Sequence, residues 1–116
     1  MFEILHSKIH RAVVTDANLD YEGSITLSSR LMVAAGIEEY QKVLIADVDN
    51  GNRFETYVIE SDKNNVVCIN GSAARLVSVG DKVIIMAFKL VDRKPDEYTP
   101  LIVHVDEENN IRMEFK

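Results

Sequence analysis

FETYVIES, residues 54–61, is the stretch on which the fold turns. Its period is two. Starting one residue earlier, Arg53, Glu55 and Tyr57 fall on one face of an extended chain, and Phe54 and Thr56 fall on the other. The same β-branched-rich pattern recurs in RAVVTDA (11–17), GSITLS (23–28), KVLIADV (42–48), NVVCIN (65–70) and KVIIMAF (82–88). Turn-forming clusters separate these runs: Asp49-Asn50-Gly51-Asn52, Asp62-Lys63-Asn64-Asn65, Asn70-Gly71-Ser72 and Val79-Gly80-Asp81. Leu101–Val105 and Ile111–Phe115 could add edge strands around a turn at 107–110, and the polar stretch 92–99 reads as a loop.

Helix signals are few. Ser28 or Ser29 can cap a short helix over 30–35 that ends at Gly36, and one more helical turn fits 73–76. Six or more short strands with so little chain between them are best satisfied by closing the sheet, because a barrel has no exposed edge. The expected fold is therefore mainly β, a small barrel with one or two short helices. So small a core predicts that neighbouring subunits cover part of its apolar surface.

The 116 residues suit a single domain, 1–116, and no linker or composition break divides them. Composition is 47% hydrophobic and 28% charged, as in an ordinary globular protein. The net charge of −6 argues against a nucleic-acid partner, which needs a basic patch. The longest apolar run, 83–88, is too short for a bilayer, and the N-terminus lacks a secretory cleavage pattern. The lone cysteine, Cys68, reads as a buried core thiol, and the expected compartment is the cytoplasm.

Many signatures are absent: no phosphate-binding glycine loop, no dinucleotide fingerprint, no zinc-type Cys/His spacing. His6 and His10 on one strand face would stand about 13 Å apart, too far to share an ion, so no metal is expected. What remains is polar groups on strands and turns. Lys8 and His10 share one face; Arg53, Glu55 and Tyr57 share another; INGSAA offers unobstructed backbone amides. Each of these, taken alone, reads as an exposed strand face or a hairpin. Gly23-Ser24 within YEGSIT (21–26) reads, alone, as a turn into a strand.

Taken together, in order and spacing, they are not ordinary. SKIHRAVVTDANLDYEGSIT, AAGI, VDNGNRFETYVI and INGSAARLVSVGDKVIIMAF resemble the pyruvoyl-dependent aspartate 1-decarboxylases over nearly the whole chain. The resemblance implies a double-psi β-barrel assembled as a homotetramer, with sites between adjacent subunits. It implies an inactive precursor that cuts itself between Gly23 and Ser24, giving fragments 1–23 and 24–116. The Ser24 hydroxyl attacks the Gly23 carbonyl, and residue 24 ends as a covalent pyruvoyl group, an electron sink. Thr56 and Asn70 are the implied aids to cleavage, and Tyr57 the implied proton donor in turnover. Lys8, Arg53, Thr56 and the turn Gly71-Ser72-Ala73 are implied to bind L-aspartate, with His10 and Tyr21 in support. The implied reaction releases β-alanine and carbon dioxide, serving pantothenate and coenzyme A synthesis. Ser72 stands where the family commonly has alanine, and Glu55 where it often has a small residue; Glu55 could partner Arg53 or face solvent. A non-enzymatic double-psi barrel, or a member that never matures, is the alternative, and whether cutting takes a helper protein stays open.

Overall fold

A computed structural model describes residues 1–112. Its strands are β1 (Phe2–Val13), β2 (Asp16–Asn18), β3 (Ser24–Ser28), β4 (Lys42–Asp47), β5 (Arg53–Ser61), β6 (Val67–Asn70), β7 (Lys82–Val91) and β8 (Leu101–His104). One α-helix, α1 (Ser29–Ala35), and a 3-10 helix, Gly71–Leu76, complete the described elements. The sheet order is β2-β6-β3-β5-β4-β7-β1-β8. β1 runs into β2 through Val14 and Thr15, so the two ends of the ring are one piece of chain, and β8 is an added edge. Val14 N–H donates to Asp81 O and Thr15 N–H to Val67 O at the junction, at 2.9 and 2.8 Å. The closed barrel expected from the period-two runs is what forms.

Alternation puts one side chain in two inside. Ile9, Ala12, Ile25, Leu27, Ile45, Val58, Val67, Ile69, Val83 and Ile85 are all fully buried. Burying each of the larger ones contributes roughly 1.5–3 kcal/mol. α1 lies beside β1, β3 and β8 and buries Leu31, Met32 and Ala35. The Ser28 Oγ accepts from Leu31 N–H, and Gly36 takes the left-handed conformation (φ 63°) that ends the helix.

β1 is longer than its sequence pattern shows. It starts at Phe2 and pairs antiparallel with β7, which runs on to Val91. Register shifts between Leu5 and Ser7 and between Ile9 and Ala12 break the alternation, and Arg11 sits at φ 64° in the second. A strand whose faces swap twice does not show a clean period. The second helical turn begins at Gly71, two residues before the expected 73–76. The loop at 92–99 is as expected, tied down by Tyr98 Oη–H donating to Leu5 O (2.6 Å). Ile111 bridges to Val105 and Arg112 N–H donates to His104 O (2.8 Å); residues 113–115 of the expected strand lie outside the described residues. Among the described residues, no helix is long and apolar enough to cross a membrane.

Candidate active site

β3 and β6 run antiparallel with Ser24 opposite Asn70, Ile25 opposite Ile69, Thr26 opposite Cys68 and Leu27 opposite Val67. The odd pairs are apolar and point into the core. The even pairs therefore form a polar square on the outer face: Ser24, Thr26, Cys68 and Asn70. Outer face does not mean wet. Ser24 is 1% exposed and Asn70 3%.

Hydrogen bonds organise the square around the Asn70 amide. Asn70 Nδ2 donates to Ser24 Oγ (3.0 Å) and to Thr26 Oγ1 (3.0 Å). Asn70 Oδ1 accepts from Cys68 Sγ at 3.2 Å. Ser24 Oγ–H in turn donates to Glu22 O at 3.1 Å. The Ser24 oxygen is thus gripped on both sides, with its proton directed at one acceptor and a lone pair at one donor.

Gly23 and Gly71 press together here. Gly71 sits at φ 76°, and a Cβ there would lie 2.6 Å from Gly23 Cα and 2.8 Å from Gly23 N. Any other residue would displace the backbone just before Ser24. Gly23 itself is not crowded. Its φ is outside the left-handed region, and a Cβ would meet nothing within 4 Å. The steric demand for glycine at this bond falls on the neighbour, Gly71.

β5 flanks β3 on the other side, parallel, with Ile25 beside Val58. One residue back, Tyr57 comes alongside Ser24. Burial along β5 alternates from Arg53 to Val58, so Arg53, Glu55 and Tyr57 point outward and Phe54, Thr56 and Val58 inward. Thr56 is half-buried on the face opposite Tyr57. Glu55 pairs with Lys42 across the β4–β5 ladder, at 3.5 Å between exposed groups, and not with Arg53. Gly71, Ser72 and Ala73 make the first turn of the 3-10 helix. Ser72 is exposed, so its hydroxyl adds no polar group to the buried square. Tyr21, 54% exposed, turns outward, while its carbonyl would lie 3.3 Å from a Gly71 Cβ.

Lys8 and His10 stand apart from this group. Both are half-buried on β1, which bonds to β7 and β8, with β5, β4 and β7 between it and β3 in the sheet order. His10 meets His104 edge-to-face with ring centroids 5.5 Å apart. Its Nδ1 is buried without a hydrogen-bond partner. Burial first, then the charges of Lys8, His104 and Arg11, push its pKa down. His6 bonds instead to Gly36 O, at 3.0 Å.

Two residues escaped the sequence reading. Thr26 was passed over as a strand residue. Cys68, expected in the core, is half-buried on the polar face and hydrogen-bonded. The i, i+2 spacings Ser24/Thr26 and Cys68/Asn70, on two predicted strands, were the available signal.

The fold has relatives among solved structures. A computationally designed double-psi barrel covers 74% of this chain and 99% of its own (TM-score 0.50, 22% identity). A rationally designed one covers 66% and 90% (TM-score 0.50, 17% identity). The class is thus a double-psi β-barrel that carries a buried, doubly hydrogen-bonded serine directly after a glycine. The family model for aspartate decarboxylase matches residues 1–112. An aspartate 1-decarboxylase of Caldicellulosiruptor bescii is 57% identical over an alignment of 113 residues that covers 94% of this chain and 87% of that protein. One of Campylobacter fetus is 54% identical over 110 residues, 94% and 96% of the respective chains. The chain belongs to the aspartate decarboxylase family.

Proposed function

We propose that this chain is the precursor of a decarboxylase that converts L-aspartate to β-alanine and carbon dioxide, after cutting itself between Gly23 and Ser24. The observation that carries the reading is the Ser24 hydroxyl, buried and held between Asn70 Nδ2 and Glu22 O beside a backbone clamped by Gly71. In the cut, Ser24 Oγ forms a bond to the Gly23 carbonyl carbon, the peptide C–N bond breaks, and the hydroxyl proton passes to the freed amine. Elimination then releases the Gly23 carboxylate. Residue 24, left as dehydroalanine, takes up water and loses ammonia to become the pyruvoyl ketone. The products are fragments 1–23 and 24–116. Asn70 donates to the oxygen as it becomes the attacking group. Thr56, half-buried on the opposite face of β5, would have to turn toward the carbonyl to assist there.

The residues around position 24 fit such a group, because Asn70 Nδ2 already donates to the oxygen carried there. A pyruvoyl ketone supplies an electron sink for loss of the substrate's α-carboxylate. The chain's own groups do the rest. Arg53 presents a planar fork to a carboxylate, and the backbone amides at Gly71, Ser72 and Ala73 are further donors. Tyr57, alongside Ser24 in register, delivers a proton to the carbon that loses carbon dioxide. Lys8 and His10 complete the site across an interface between copies, and Tyr21 supports it from the segment just before Gly23. That β1 pairs with β7 and β8 and not with β3 supports this, as do the exposed Phe2, Leu19, Val33, Tyr40 and Leu101, which suit burial in a homotetramer. The place of action is the cytoplasm, and β-alanine feeds pantothenate and coenzyme A synthesis.

The test is an intact mass of purified protein beside an aspartate decarboxylation assay. Two fragments, the larger without a free amino terminus, and release of β-alanine are expected. A competent enzyme with an unbroken chain and an ordinary serine at 24 overturns the reading. A chain that stays whole and inert, alone and with cell extract, favours a binding barrel or dormant precursor.

A further inference from the structure

We propose that Cys68 is a positioning residue for the self-cleavage: by donating to Asn70 Oδ1, its thiol fixes which end of the Asn70 amide faces Ser24. The inference rests on the self-processing reading above.

An asparagine amide can sit either way round in nearly the same space, and its partners decide which way. Two of the partners of Asn70, Ser24 Oγ and Thr26 Oγ1, are hydroxyls that both donate and accept, so they tolerate either orientation. The third is different. A thiol is a poor acceptor, and Cys68 faces Asn70 Oδ1 at 3.2 Å. With the thiol donating, Nδ2 must face the hydroxyls, and the Ser24 proton is left for Glu22 O. Turned round, the amide would set its oxygen against Ser24, take that proton itself, and withdraw the donor from the attacking oxygen. The environment of Cys68 keeps the proton on sulfur. Burial first, then the charge of Asp16 directly across the β2–β6 ladder, push the thiol pKa up.

Thr26 holds the other side of the same amide, so the two residues clamp Asn70 from the Thr26–Cys68 pair, one step along the ladder from the reacting bond. Neither need touch Gly23 or substrate.

The experiment follows fragment formation by intact mass over time in the full chain, for wild type, Cys68→Ala, Cys68→Val and Cys68→Ser, with Tm recorded for each. Cys68→Ala is expected to cut about tenfold more slowly, the loss of one hydrogen bond to the attacking geometry. Cys68→Ser keeps a donor but, unlike the thiol, also accepts well, so it is expected to cut at a rate between those of alanine and wild type. An alanine variant that keeps pace with a wild type that is cut overturns the clamp. So does a valine variant that keeps pace, because bulk and not donation would then matter. Should Cys68→Ala not fold, Cys68→Val carries the test: slowing at unchanged Tm supports the clamp, and a wild-type rate overturns it. A wild type that stays whole overturns the self-processing reading beneath, which is a separate failure.

Discussion

At the β3–β6 ladder, Ser24, Thr26, Cys68 and Asn70 match donors to acceptors around one amide, whereas at the end of β4 Asp47 meets Asp49 and Asp81, three carboxylates whose oxygens lie within 4.8 Å of one another. Both corners bury polar side chains. Asp47 is only 2% exposed. Its Oδ1 accepts from the N–H groups of Asp49 and Asn50, but its Oδ2 has no donor unless it carries a proton itself, shared with Asp81. Burial first, then that bond, push the Asp47 pKa up to about 6, and the same bond holds Asp81 below its ordinary value. A buried network with its hydrogen bonds matched holds one geometry at any ordinary pH; one built of like charges holds it only while a proton is present. Position-critical chemistry belongs at the first corner.

That contrast can be broken at several points. The largest effect is expected from Ser24→Ala: no fragments in the mass spectrum and no β-alanine, because no hydroxyl remains to attack. Tyr57→Phe should separate cutting from turnover, with fragments formed normally and decarboxylation down about a hundredfold or more. Normal turnover would remove Tyr57 as proton donor. Gly71→Ala forces a Cβ against the Gly23 backbone at an unfavourable φ; a Tm lower by about 5 °C and slower fragment formation are expected.

Asp47→Asn tests the second corner and is the smallest change. The folded-state pKa of Asp47 is raised above its ordinary 3.8 to about 6, so its contribution to stability is present below about pH 4 and is lost as pH rises through 6. Asp81, shifted the other way, loses its contribution only as pH falls through its own lowered value. The asparagine variant should therefore melt about 4 °C above wild type at pH 8 and together with it at pH 4. An equal gain at both would show that packing, not the proton, sets the cost.

Legibility followed periodicity. NVVCIN is apolar on both faces, which hid that Cys68 points outward. β5 alternates cleanly, so FETYVIES gave its faces away, and the family motifs named Ser24, Asn70 and Gly71. β1 did not, because two register shifts move its buried face. The close contact at the Gly23–Ser24 bond belongs to Gly71, and no spacing rule shows which of two glycines from distant parts of the chain is the crowded one. Asp47 was invisible for a related reason: a carboxylate near the end of the run KVLIADV carries no sign of burial until the fold brings Asp81 to it.

The long first strand would have a consequence for a chain nicked after Gly23. β1 hydrogen-bonds to β7 on one side and β8 on the other, and β2 to β6, so the segment before Gly23 is woven through the middle of the ring. Severing one covalent link there would leave the small peptide locked in by its ladders. The cut form should endure as long as it stays folded, yet recovery from urea would require two separate molecules to find each other. Its renaturation yield would then depend on concentration, while that of the uncut Ser24→Ala chain would not depend on peptide recapture.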